Sequence, residues 1–145
     1  MSVHPTAIIA PGAKLHPSVK VGPFAVIGPD VEIGENTEIG ASCHIYGHTT
    51  IGRDNVLHPS VVIGTPPQDL KFKGEKTFVK IGNGNHFREF VTIHLAEGEG
   101  NSTIVGDNTL LMAYVDRHFR EAGAAGELGV GHAGAGLVEL AQPRE

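Results

Sequence analysis

Branched aliphatic or leucine side chains recur at every sixth position from Val3 to Ile63, passing through Ile9, Leu15, Val21, Ile27, Ile33, Ile39, Ile45, Ile51 and Leu57. An α-helix repeats its buried stripe about every 3.6 residues and a coiled coil about every 3.5, so neither produces a strict period of six. Six is a multiple of the strand period of two, which keeps one face inward if each hexad is a short strand followed by a bend. The bends are written beside the aliphatics. Gly22, Gly28, Gly34, Gly40, Gly52, Gly64, Gly82 and Gly106 follow them directly, and Pro5, Pro11, Pro17, Pro23, Pro29 and Pro59 stand one step further. Asp30, Asn36 and Asp54 take the next slot, where the left-handed region is expected. Two positions before each aliphatic sits a small or β-branched residue (Ala7, Ala13, Val19, Ala25, Val31, Thr37, Cys43, Thr49), suited to a cramped interior. The pattern predicts an all-β solenoid whose coils stack at about 4.8 Å with parallel pairing, none stable alone.

The hexads run without a break from residue 3 to 64. The polar, charged stretch 65–80 loses the pattern and reads as an excursion from the coil; the repeat resumes at Ile81, Phe87 and Ile93, breaks again over 96–102, and returns at Val105 and Leu111. Repeat proteins place such insertions on the face that binds ligands. Residues 1–115 therefore read as one solenoid domain and 116–145 as an aberrant tail. In that tail the aliphatic slot holds Arg117, Gly123 and Gly129, and thirty residues contain six Gly and six Ala but no Lys, Ile, Thr, Ser or Asn. Two readings compete, a genuine C-terminal extension and a reading frame that slips near codon 116. The break falls inside a hexad, which favours slippage.

The net charge of −5 argues against nonspecific binding to nucleic acid or anionic membranes. The single Cys43 occupies a small-residue slot and reads as inert packing. No apolar run approaches the roughly 20 residues of a membrane span, and Met1 to Pro5 enters the repeat at once, so a cytoplasmic protein without a membrane span is expected.

Specific words within the repeat carry a family resemblance. Val3-His4-Pro5-Thr6-Ala7-Ile8-Ile9, Gly47 to Asn55, Gln68-Asp69-Leu70-Lys71-Phe72-Lys73-Gly74-Glu75, Val91-Thr92-Ile93-His94 and Asp107 to Met112 closely resemble the bacterial acyl-[acyl-carrier-protein]:UDP-N-acetylglucosamine O-acyltransferases of lipid A biosynthesis, hexapeptide-repeat enzymes. The resemblance covers residues 1 to about 115, roughly the N-terminal half of that family's length. It implies a left-handed parallel β-helix, truncated here, and transfer of a 3-hydroxyacyl chain from a carrier-protein thioester to the sugar 3-hydroxyl. Acyl carrier protein and UDP-N-acetylglucosamine are then the partners, with no cofactor and no metal, in a homotrimer whose sites lie between subunits.

Carried over by position, Asp69 and Lys71, with Gln68 beside them, match the family's substrate loop, and His94 matches a cleft histidine. The bland alternatives are a solvated loop lysine and a corner histidine bonded to backbone. For His4, His16 and His58 that structural role is the expectation. The family's base is the second histidine of a His-x-Ala-His-Asp-Cys-like run three residues after Leu-Leu-Met. Here that place reads Asp116-Arg117-His118-Phe119, so Phe119 sits at the aligned base position. His118, one residue away, points to the opposite face of a strand and is a weak substitute. An inactive chain is the resulting expectation. The rivals are a noncatalytic nucleotide-sugar-binding remnant and another hexapeptide enzyme, either an acyltransferase or a zinc carbonic anhydrase. A zinc site needs about three convergent histidines, whereas His4 and His58 stand three coils apart, roughly 14 Å by strand spacing.

Overall fold

In the computed structural model, residues 1–117 are described, and they form a parallel β-solenoid of seventeen short strands. The first sheet stacks β1 (Ser2–Val3), β4 (Lys20–Val21), β7 (Glu38–Ile39), β10 (Val56–Leu57), β13 (His86–Phe87) and β16 (Leu110–Leu111). The second stacks β2 (Ile8–Ile9), β5 (Val26–Ile27), β8 (His44–Ile45), β11 (Val62–Thr65), β14 (Thr92–His94) and β17 (Asp116–Arg117). The third stacks β3 (Lys14–Leu15), β6 (Val31–Ile33), β9 (His48–Ile51), β12 (Phe78–Ile81) and β15 (Ser102–Val105).

The registers give the coil length directly. Val3 pairs with Val21, Val21 with Ile39 and Ile39 with Leu57, eighteen residues apart, so three hexads close one coil. Leu57 then pairs with Phe87, thirty residues on, and Phe87 with Leu111, twenty-four on. The additional twelve and six residues are the two excursions. The first is narrower than the 65–80 read from sequence, because Thr65 still belongs to β11 and Phe78–Ile81 pairs in full register with both neighbours; it comprises 66–77. Strand pairing also continues into β17, two residues into the stretch read as tail.

The predicted hexad aliphatics line the interior. Ile27, Ile45, Ile63 and Ile93 form one fully buried column, and the expected small slots Val19, Ala25, Val31, Thr37, Cys43 and Thr49 are buried beside them. One column is polar instead. Asn85 Nδ2 donates to the Gly106 carbonyl (2.8 Å) and its Oδ1 accepts from the Thr109 N–H (2.8 Å), while Asn55 repeats both contacts one coil earlier, with the Gly82 carbonyl and the Asn85 N–H. Each buried amide thus satisfies corner backbone that the turn leaves unpaired.

At the corners, Asn36 and Asp54 adopt positive φ as expected, but Asp30 does not. A different corner, that between the first and second sheets, is left-handed at Phe24, Ser42, Ser60, Phe90 and Tyr114. For the bulky residues this costs on the order of 1–2 kcal/mol each, tolerated because the coil closes only with that bend. No helix in the described residues is long and apolar enough to cross a membrane, which says nothing of strands.

Candidate functional site

A bulge in β11 builds the most chemically distinctive spot. Its pairing with β14 runs Val62 to Thr92 and Ile63 to Ile93, then skips Gly64 and matches Thr65 to His94. Gly64 has φ +85°, and a Cβ there would collide with the Tyr46 carbonyl oxygen, so only glycine fits. Skipping one residue sets Thr65 beside His94 at the end of its strand, where the histidine is 6% exposed.

Both ring nitrogens of His94 meet polar atoms of the chain itself. Nε2 lies 3.0 Å from Asp116 Oδ1 in β17, and Nδ1 lies 3.1 Å from Thr65 Oγ1 and 3.2 Å from the Pro66 carbonyl. Thr92 donates its hydroxyl to the same Asp116 oxygen at 2.6 Å. Three successive coils therefore converge on one imidazole, at the root of the first excursion.

Within that excursion, Asp69 closes its own turn by accepting from the Lys71 N–H at 2.7 Å, and the Phe72 N–H bonds the Asp69 carbonyl at 3.0 Å. The Lys71 N–H, then the Glu97 side chain and the Lys71 charge, hold the Asp69 carboxyl below the ordinary carboxylate range. The Asp69–Glu97 contact joins the two excursions. So do the Lys76 N–H on Glu99 Oε2 (3.0 Å) and the Gly100 N–H on the Lys76 carbonyl (2.9 Å). The chain thus gathers both insertions at one corner, and the first of them departs beside His94. Gln68 and Lys71 project from it into solvent, with Leu70 fully exposed between them.

The other histidines behave differently. His4 Nδ1 meets the Thr6 hydroxyl (2.8 Å) and accepts from the Thr6 N–H (3.2 Å), and His16 does the same with Ser18. His58 Nδ1 faces Glu89 at 3.4 Å. Each of these histidines binds its own corner or its neighbour's. His118 and Phe119 lie outside the described residues. Among the described residues no three metal-ligating side chains come together.

Sequence reasoning passed over Asp116, Thr92 and Thr65. Asp116 stacks on Thr92 only because that coil is twenty-four residues long, a length set by the second excursion, which comprises 95–101 and not the 96–102 read from sequence because Ser102 already pairs in β15.

With this geometry in place, the likenesses to known proteins become specific. Residues 12–45 and 30–65 match the family model for bacterial transferase hexapeptide (six repeats). An acyl-[acyl-carrier-protein]–UDP-N-acetylglucosamine O-acyltransferase of Chlamydia muridarum is 55% identical over 113 residues, covering 78% of this chain and 40% of that protein. One of Thermodesulfovibrio yellowstonii is 47% identical over 114 residues, 78% of this chain and 44% of that protein. The chain carries the bacterial transferase hexapeptide repeat and, over 113–114 residues, is similar to part of these acyltransferases. In structure it superposes on the UDP-N-acetylglucosamine acyltransferase of Bacteroides fragilis with a TM-score of 0.76 at 45% identity, over 79% of this chain and 45% of that one. The fold is thereby the left-handed parallel β-helix that the resemblance implied. The chain spans less than half the length of these acyltransferases.

Proposed function

We propose that this chain takes a 3-hydroxyacyl group from an acyl-carrier-protein thioester and directs it to the 3-hydroxyl of UDP-N-acetylglucosamine, the entry reaction of lipid A biosynthesis. The observation that carries the reading is the coincidence of two things. Relatives of that name are 42–55% identical over 113–114 residues, and the Gln68-Asp69-Leu70-Lys71 loop springs from the wall that holds His94. In this reading Lys71 and Gln68 reach the nucleotide sugar from the exposed loop, with Asp69 holding the turn that presents them. His94 stands at the inner end of the cleft. The chain works as a homotrimer in the cytoplasm, neighbouring subunits completing each site, and needs neither metal nor cofactor.

A neutral alcohol is a poor nucleophile, so a base must take its proton as it attacks the thioester carbonyl, and a backbone N–H must receive the oxyanion. With Phe119 at the aligned base position, turnover falls by much of the roughly 10²–10⁴-fold that such a base contributes. Residues 116–145 are read as the product of a slipped frame. Sequencing the gene around codon 116 tests this, an alternative frame that restores hexads and a His-x-Ala-His run being the supporting result.

The test of function is paired. Titration of UDP-N-acetylglucosamine is expected to show saturable binding that Lys71→Ala weakens, and acyl transfer from acyl carrier protein is expected to be slow. Absence of sugar binding overturns the proposal; binding with no transfer at any concentration leaves a nucleotide-sugar-binding module in its place.

A further inference from the structure

Asp116 occupies the slot where the family's run begins with histidine, and in this chain it faces another histidine. The His94 ring lies between a carboxylate at Nε2 and, at Nδ1, a hydroxyl and a carbonyl. A neutral imidazole has one proton to give. An ionised carboxylate is the stronger acceptor and competes for it against the neutral Pro66 carbonyl. The proton then sits on Nε2, and the Nδ1 lone pair faces Thr65 Oγ1 at 3.1 Å, which is hydroxyl-to-base geometry. Thr92 Oγ1, donating to the same Asp116 oxygen, fixes the carboxylate. His94 is nearly buried, whereas Thr65 is half-buried at the root of the substrate loop. The outer end of this chain of groups is therefore the threonine hydroxyl.

We propose that Thr65, His94 and Asp116 form a proton relay, with His94 Nδ1 the acceptor and Asp116 the positioning residue, and that the relay gives this chain sugar-independent hydrolysis of acyl thioesters. It rests on the thioester half of the function proposed above. Water hydrogen-bonded to Thr65 attacks the thioester carbonyl. As the C–O bond forms, the water proton passes to Thr65 Oγ and the Thr65 proton to His94 Nδ1. The resulting imidazolium is held by the Asp116 carboxylate. Collapse of the tetrahedral intermediate breaks the C–S bond, and the proton returns through Thr65 to the leaving thiolate. The products are the free acid and the thiol, with no redox change and no co-reactant other than water.

The experiment uses the full chain and a 3-hydroxyacyl thioester of pantetheine, without UDP-N-acetylglucosamine, following thiol release. Release above the buffer rate is expected. Asp116→Asn and Thr65→Val are expected to lower it by about tenfold or more, within the range of a lost general base, and Thr65→Ser to restore it. A readout that a merely structural role would not move is the tautomer: nitrogen NMR of the wild-type ring is expected to show the proton on Nε2, with Asp116→Asn raising the Nδ1-protonated fraction. The wild-type spectrum requires no variant to fold. A proton on Nδ1 in the wild type, no release above buffer, or release unchanged by Asp116→Asn each overturns the relay. Sugar binding is measured separately, so failure of the relay and failure of the sugar reading are distinguishable.

Discussion

Cys43 fills an inward slot of the second sheet's column with no exposed surface, its Sγ 3.1 Å from the His58 carbonyl. Burial pushes the thiol up from 9.0 to about 11, against smaller opposing contributions from backbone hydrogen bonds. Below pH 9 the thiol is neutral in both states. Between pH 9 and about 11 the unfolded chain ionises while the native thiol keeps its proton, so native stability falls as pH rises through that window. A difference on the order of 2–3 kcal/mol corresponds to the shift. Denaturant midpoints measured at pH 8 and pH 10.5 are expected to converge for Cys43→Ala relative to the wild type. In the native protein at pH 8, alkylation of Cys43 is expected to be far slower than in denaturant. Gly64 gives a second prediction at this scale. A Cβ at φ +85° strikes the Tyr46 carbonyl, so Gly64→Ala is expected to cost several kcal/mol and to release Thr65 from His94. Thermal unfolding and the His94 ring signals check the two effects.

Among the elements, the polar column shows why some substitutions cost more than size suggests. Asn85→Ala removes the acceptor for the Thr109 N–H and the donor for the Gly106 carbonyl. It is expected to destabilise by about 1–3 kcal/mol, since the two part-buried backbone groups left unpaired regain only some hydration. Asn85→Thr, the residue type at Thr37 in the same column, is expected to recover part of that loss because its hydroxyl still reaches one corner group. Urea midpoints rank the three proteins. Most of these elements are legible from sequence, because a hexad aliphatic such as Ile27 has only one dry place to go and its flanking glycine and proline mark the bend. What the repeat does not write is distance across the stack. The bulge at Gly64 looks like any corner glycine, and only the register of Thr65 with His94 separates it from Gly22 or Gly40. Phe90 and Tyr114 give no left-handed signal in sequence, yet they sit at φ +64° and +66° with their rings stacked 5.1 Å apart. The stretch 66–77 is legible as an excursion, and its Gln68-to-Glu75 word as a resemblance. The His94–Asp116 pair is not, since joining residues twenty-two apart needs the length of the coil between them.

At the scale of the molecule, a coil touches only the coils above and below it, so stability is a sum of neighbour interfaces and not the property of one globular core. Burial follows that rule. Val3 in the first coil is 37% exposed, Val21 above it 4%, and Ile45 in the third coil is fully buried. The inward slot of β17 holds Arg117, 8% exposed, whose guanidinium donates to the Ile104 carbonyl at 2.9 Å and whose pKa is lowered by burial. A charge in an aliphatic slot weakens the last described interface by its desolvation. A gradient follows: Ile45→Ala is expected to cost about 2–5 kcal/mol, the range for a buried isoleucine. Val3→Ala, at a site already 37% exposed, is expected to cost less than Ile45→Ala, on the order of 1 kcal/mol. Arg117→Leu is expected to raise stability, because it exchanges a poorly solvated cation for a side chain that packs on Ile93. Native-state hydrogen exchange resolves the profile coil by coil. Amides of β7 to β11 are expected to exchange only through global unfolding, and those of β1 to β3 through local fraying. Uniform protection from the first coil to the last would mean that the stack unfolds as a single unit, and the neighbour-interface account would then fail.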